Sequence, residues 1–243
     1  MRIGLIPELF TLDMEHNISQ MLKWLKKFEG ENLDLICFGE ACLQGFNALN
    51  ADYDHDVAMA ISQDDEVVAR LQEACRHAKT GLGFGYIEKD AGFLYSSYML
   101  IGADGCLLHN FRRISPGWKL GEAFKDARYR EGSDYASFAY MGKKITVAIC
   151  GDLWHEDLIE QFMAVESDVL LWPLYTNYEI ETWESGEKDE YAQRVACLNR
   201  PVLMVNCFDE GEYIAHGGAF VFKQGKVSQE LPMGEKGFLL VNC

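Results

Sequence analysis

The sequence is poor in basic residues, has five prolines, and contains no long apolar run. Against 38 Asp and Glu stand 22 Lys and Arg, a formal charge of −16. Nucleic acids and anionic membrane surfaces are bound by clustered Lys and Arg, so neither is expected as a partner. No apolar stretch approaches the ~20 residues of a spanning helix. The N-terminal Met-Arg-Ile-Gly-Leu-Ile is broken by Pro7 and Glu8, unlike a signal peptide. Eight cysteines are present without a Cys-x-x-Cys pair or any tight framework spacing, so reduced thiols in a cytoplasmic protein are expected. His-Glu-x-x-His is also missing, and no metal is expected. Without linker, repeat or low-complexity tract, 243 residues at 49% hydrophobic suit one globular domain over 1–243.

What is present is an alternation of strands and helices. Ile3 to Ile6 reads as a short strand, followed by a helix capped by Asp13, with Ile18, Met21, Leu22, Leu25 and Phe28 on one face and Gly30 after it. Leu33 to Phe38 is a continuous apolar run, as expected of a strand covered on both faces, and it ends in Gly39-Glu40. A helix opens at Asp64, and Leu82 to Ile87 is the next strand. Leu94 to Ile101 and Cys106 to Phe111 form a hairpin across Asp104-Gly105 that runs into Arg112-Arg113. An irregular stretch from Ser115 to Gly132 is long enough to carry function. Tyr135 to Tyr140 pairs with Lys144 to Ile149, which leads into Cys150. Helices follow at 156–165 and 188–199, with strands at 168–172, 202–207, 218–222 and 227–231. Helical crossovers mixed with hairpins imply a mixed sheet with helices on its faces.

The stretch Ile145-Thr-Val-Ala-Ile-Cys150-Gly-Asp-Leu-Trp-His-Glu156 reads as a buried strand delivering a thiol to a sharp turn before a helix. A thiol there can be activated by a neighbouring base, and the turn's backbone N–H groups suit a developing oxyanion. Residue type alone proves nothing, because free Cys is among the most buried residue types and seven others share the chain. Glu40 and Arg113, like Cys150, lie within two residues of a strand end. If those strands are neighbours in one sheet and point the same way, their ends meet on one rim. A carboxylate beside a thiol takes its proton, and a fixed cation holds the charge of a tetrahedral intermediate. A Cys150–His155–Glu156 arrangement is the rival, but His155 reads more simply as a helix-start residue pointing away from the thiol.

Phe38-Gly-Glu40, Asn110-Phe-Arg-Arg-Ile-Ser-Pro116 and Ala148-Ile-Cys150-Gly-Asp-Leu153 resemble, in order and separation, the three motif blocks of the carbon–nitrogen hydrolase, or nitrilase, superfamily. Gly85-Tyr-Ile-Glu88, Tyr95-Ser-Ser97, the Arg194, Ala196 and Asn199 pattern, Val205-Asn206 and Gly217-Gly218 extend the resemblance over nearly the whole chain. It implies a single-domain α/β fold, an α-β-β-α sandwich with mixed β-sheets. It also implies a general base at Glu40, a nucleophile at Cys150 and a homo-oligomer, commonly a dimer. The family's catalytic lysine falls on Arg113, which keeps the charge but not a transferable proton. Lys119 is a possible substitute. A second glutamate of the family matches Glu122, with Asp126 and Glu131 as rivals. Asp152, two residues after the thiol, is common in the family's amidases, whereas its true nitrilases more often show Cys-Trp-Glu. The resemblance therefore points to a small amide or N-carbamoyl substrate rather than a nitrile, hydrolysed through a thioester without a cofactor. A non-catalytic binding protein on the same fold is the alternative. Gly151 would bind substrate through its backbone N–H, and Trp154, Tyr175 and Trp183 are candidates for the pocket wall, with core packing an equal reading. The chain is also slightly short for the family and is expected to lack a C-terminal extension that swaps between subunits.

Overall fold

The computed structural model describes residues 1–118, 126–209 and 214–243. These form two six-stranded sheets. In the first the order is β12-β1-β2-β3-β4-β5 and in the second β11-β10-β9-β8-β7-β6. The first sheet contains β1 (Arg2–Leu5), β2 (Leu35–Cys37), β3 (Gly81–Asp90), β4 (Phe93–Ile101), β5 (Leu107–Arg112) and β12 (Leu239–Asn242). The second contains β6 (Phe138–Tyr140), β7 (Lys143–Val147), β8 (Val169–Pro173), β9 (Val202–Val205), β10 (Ala219–Lys223) and β11 (Lys226–Leu231). Each is mixed: β1, β2 and β3 run parallel, as do β7, β8 and β9, and the flanking hairpins are antiparallel. The single mixed sheet read from the alternation of elements is thus corrected to two, as the family resemblance implied.

The layering follows from the side chains. In β2, Leu35 and Cys37 enter the core between the sheets, while Ile36 faces the cluster that holds the apolar stripes of α1 (Met14–Lys27) and α3 (Glu66–Ala78). In β4, Tyr98 and Leu100 go inward and Met99 and Ile101 outward. A period-2 element buried on both faces must be apolar throughout, which explains the unbroken runs. The second sheet packs α4 (Glu156–Ala164) and α6 (Lys188–Arg194) through Ile159, Phe162, Tyr191 and Ala192. The result is an α-β-β-α sandwich. Tight turns close its hairpins: Ala91-Gly92, Met141-Gly142 and Gln224-Gly225 each place two successive residues at positive φ, which matches the twist of the strands they join. No helix among the described residues is long and apolar enough to cross a membrane.

Some elements depart from the sequence reading. The helix expected over 188–199 ends at Arg194 and continues as turns. It is preceded by α5 (Ile180–Thr182) and a wide-turn segment, Trp183–Glu187. Strand β12 and α2 (Tyr53–Met59) have no counterpart in that reading. Helix α2 is organised by buried Asp56, which accepts the N–H groups of Asn50 and Ala51 and the Tyr129 hydroxyl. Such a pattern is invisible to apolar periodicity.

On the outer face of the first sheet, Glu88 is fully buried and accepts from Gln63, Ser97, Asn110 and, through both oxygens, the Arg112 guanidinium. This clasp fixes the end of β5. Removing one partner of a buried charge pair leaves the other unpaired, so Glu88→Ala is expected to lower the unfolding free energy in urea by about 3 kcal/mol.

Candidate active site

Glu40 and Arg113 leave the first sheet at the same rim. Strand β5 runs parallel to β2, with β3 and β4 between them. Cys150 follows β7 in the opposing sheet. The expectation of neighbouring strands in one sheet is therefore corrected. The three residues meet because the two sheets face each other, not because their strands are adjacent.

Glu40 reaches across the first sheet because the strand beneath it lacks a side chain. A Cβ on Gly85 of β3 would stand 2.3 Å from the Ala41 backbone nitrogen and 2.7 Å from the Gly39 carbonyl oxygen. Ala41 adopts φ +47°, and the Glu40 N–H donates to the Leu174 carbonyl at 3.4 Å, which joins the turn to the second sheet. Glu40 is 1% exposed. Its Oε1 accepts from Arg113 Nη1 at 2.7 Å and from Ser96 Oγ at 3.3 Å. Its Oε2 is buried without a partner of hydrogen-bond geometry.

Arg113 is 4% exposed and fixed from three sides. Its N–H donates to the Ser96 carbonyl at 2.8 Å, Nε donates to Ser115 Oγ at 2.9 Å, and Nη1 holds Glu40. Burial works against its charge, but the acidic groups of Glu40, Cys150 and Asp152 outweigh that and raise its pKa. The guanidinium is cationic at any working pH. Its Nη2 lies against the turn after the thiol: a Cβ on Gly151 would come within 2.5 Å of it, and one on Gly117 within 3.0 Å.

Cys150 sits at φ +42°, a left-handed conformation uncommon for a residue with a side chain, and opens the tight turn Cys150–Trp154. The Trp172 indole N–H donates to the Cys150 carbonyl at 2.9 Å, and the thiol donates to the Tyr175 carbonyl at 3.7 Å. The thiol pKa is raised to about 12, first by burial and then by the neighbouring Glu40 charge, with Arg113 opposing both. The resting group is a protonated thiol beside a carboxylate, not a free thiolate. Of the other seven thiols, Cys106 and Cys197 are exposed and Cys243 is half-buried.

The structure gathers Glu40, Arg113, Cys150 and Gly151, together with the Tyr175 main chain. Lys119 and Glu122 lie outside the described residues. Asp126 is engaged with Arg128 in its own turn, and Glu131 lines a groove with Arg112, whose neighbour Arg113 turns inward. His155 is exposed at the start of α4. Trp154 packs edge-on to Tyr191 at 4.8 Å between ring centres, and fully buried Trp183 packs on the same tyrosine, at 4.9 Å. The Tyr175 ring stacks on Phe46 at 3.7 Å, and its hydroxyl donates to Asp209. The sequence reading missed Ser96, Ser115 and Trp172, all fully buried or nearly so. Hydroxyls and an indole in apolar strands carry no mark of their hydrogen-bond partners.

The fold is that of a carbon–nitrogen-bond hydrolase. An amidase from Nesterenkonia sp. superposes with a TM-score of 0.81 at 19% identity, covering 99% of this chain and 89% of that one. The sequence profile described as carbon-nitrogen hydrolase matches residues 3–243, and the chain belongs to that family. It is 22% identical over 229 residues to a glutamine-dependent NAD(+) synthetase from Acinetobacter baylyi, covering 90% of this chain and 40% of that protein. It is 27% identical over 123 residues to an arylacetonitrilase from Hypocrea virens, covering 48% and 37%. The chain spans less than half the length of the curated relatives it matches.

The raised thiol has a thermodynamic consequence. A folded pKa above the unfolded value means that the native state binds the extra proton, so this stabilisation is complete below the unfolded pKa and is lost as pH rises toward 12. Urea unfolding at pH 8 and pH 10.5 is expected to show a fall in stability that is roughly 2 kcal/mol smaller in Cys150→Ser than in the parent protein.

Proposed function

We propose that this protein hydrolyses the carbon–nitrogen bond of a small primary amide or N-carbamoyl compound through a thioester on Cys150. One observation carries the reading: a thiol on a left-handed turn lies beside a buried carboxylate, Glu40, whose Oε1 is held by a guanidinium. Glu40 takes the thiol proton as sulfur attacks the carbonyl carbon. The resulting oxyanion is met by Arg113 and by the backbone N–H of Gly151. Glu40 returns its proton to the nitrogen, the C–N bond breaks, and ammonia leaves. Water then attacks the thioester with Glu40 again as base, releasing the acid and restoring the thiol.

Arg113 enters this scheme as charge alone. Its other donors are committed to Glu40 and Ser115, and a guanidinium does not give up a proton. Among the described residues, proton transfer therefore falls to Glu40. The partial match to an arylacetonitrilase supports a nitrile as the second reading, because the same thiol can add to a nitrile carbon.

The test is ammonia release from a panel of small amides, N-carbamoyl compounds and nitriles. Turnover is expected with an amide or N-carbamoyl compound, and its loss by a factor on the order of 10³ or more in Cys150→Ala. No release from any member would favour a non-catalytic binding protein. Arg113→Lys, which keeps the charge, is expected to retain activity within about tenfold, whereas Arg113→Gln is expected to lose about a hundredfold or more in kcat.

A further inference from the structure

Asp152 takes no part in the steps above, yet it bonds to both halves of the site. It is fully buried. Its Oδ1 accepts the backbone N–H of Ile114 at 3.0 Å and of Ser115 at 2.7 Å, and its Oδ2 accepts that of Ile149 at 2.9 Å. Two of these donors belong to the turn after Arg113, which comes from the first sheet. The third belongs to the residue that delivers Cys150 from the second. Ser115, held in this way by its N–H, in turn accepts Arg113 Nε on its hydroxyl.

We propose that Asp152 is a positioning residue, which sets the separation of the Arg113 guanidinium from the Cys150 sulfur by tying the 113–115 turn to the nucleophile turn. The inference rests on the catalytic reading above. A continuous chain of contacts carries it: Asp152 to Ser115, Ser115 to Arg113, and Arg113 to Glu40. The packing around Gly151 shows how little slack the arrangement has, since a single added Cβ would stand 2.5 Å from Nη2. Three N–H donors converge on the side chain, and a carboxylate supplies acceptors on both oxygens. An amide would turn an N–H₂ toward one of them. The ionisable groups that interact with Asp152 are Arg113, just after β5, and Tyr135 from the segment before β6. Burial pushes the Asp152 carboxyl up to about 6, against the pull of Arg113 and the N–H donors.

Positioning and simple charge make opposite forecasts for the thiol. Loss of a nearby anion by itself favours the thiolate and speeds alkylation; loss of the tie moves the cation away and slows it. The probe is iodoacetamide at pH 8, with modification of Cys150 followed by mass spectrometry in intact variants checked for cooperative thermal unfolding. Asp152→Asn is expected to slow alkylation about tenfold, the change that one pKa unit makes to a thiolate fraction. Asp152→Glu keeps the charge, displaces the acceptors, and is expected to slow it too; it decides the matter if the Asn variant does not fold. In an Arg113→Gln background, Asp152→Asn is expected to cause no slowing. Faster alkylation in Asp152→Asn, an unchanged rate in Asp152→Glu, or equal slowing with and without Arg113 would overturn the positioning role. If Glu40→Gln and Arg113→Gln themselves leave Cys150 alkylation unchanged, it is the catalytic reading that fails.

Discussion

The site depends on one buried ion pair. Glu40 and Arg113 meet at 2.7 Å where both are almost without solvent, and each would be costly to bury alone. Desolvation of this kind is repaid when further donors and acceptors of the pair also find partners. Arg113 Nε is taken by Ser115, and Glu40 Oε1 is shared with Ser96. Glu40 Oε2 is buried without a partner of hydrogen-bond geometry, on the carboxylate whose charge acts on the Cys150 thiol. Stability and reactivity thus draw on the same residues, and no second set of groups is needed to orient the base.

Two close backbone approaches make that pair possible. Gly85 lets the Glu40 turn cross β3, and Gly151 lets the thiol turn lie against the guanidinium. Both turns contain a residue with a side chain at positive φ, Ala41 and Cys150. Such conformations persist only where surrounding bonds over-determine them. For Cys150 those bonds are the Trp172 indole on its carbonyl and the Asp152 carboxylate on the N–H of Ile149. In the proposed reaction an arginine in this place divides the labour: charge from Arg113, proton traffic through Glu40.

Much of this was legible before the tertiary structure. The strands that carry Glu40, Arg113 and Cys150 stand out as apolar runs ending in polar residues, and the hairpin turns announce themselves through Asp104-Gly105, Gly142 and Gly225. The helix stripes of α1 and α3 follow their spacing closely. Legibility failed where structure rests on long-range polar bonds. Helix α2 is built around Asp56, and β12 exists because β1 offers it an edge. Neither leaves a periodic trace, and the helix predicted to run to residue 199 stops at Arg194 for reasons outside its apolar pattern.

The sequence by itself determined the α/β class and, through motif blocks in their order, the family and with it the two-sheet sandwich, because these are properties of residue type, order and local spacing. Tertiary structure alone decided that the three groups come from two sheets rather than one, that burial raises the thiol pKa, and that Asp152 spans both halves of the site. Those outcomes depend on desolvation and on contacts between residues as far apart as Glu40 and Arg113, and neither burial nor partner choice is encoded at short range.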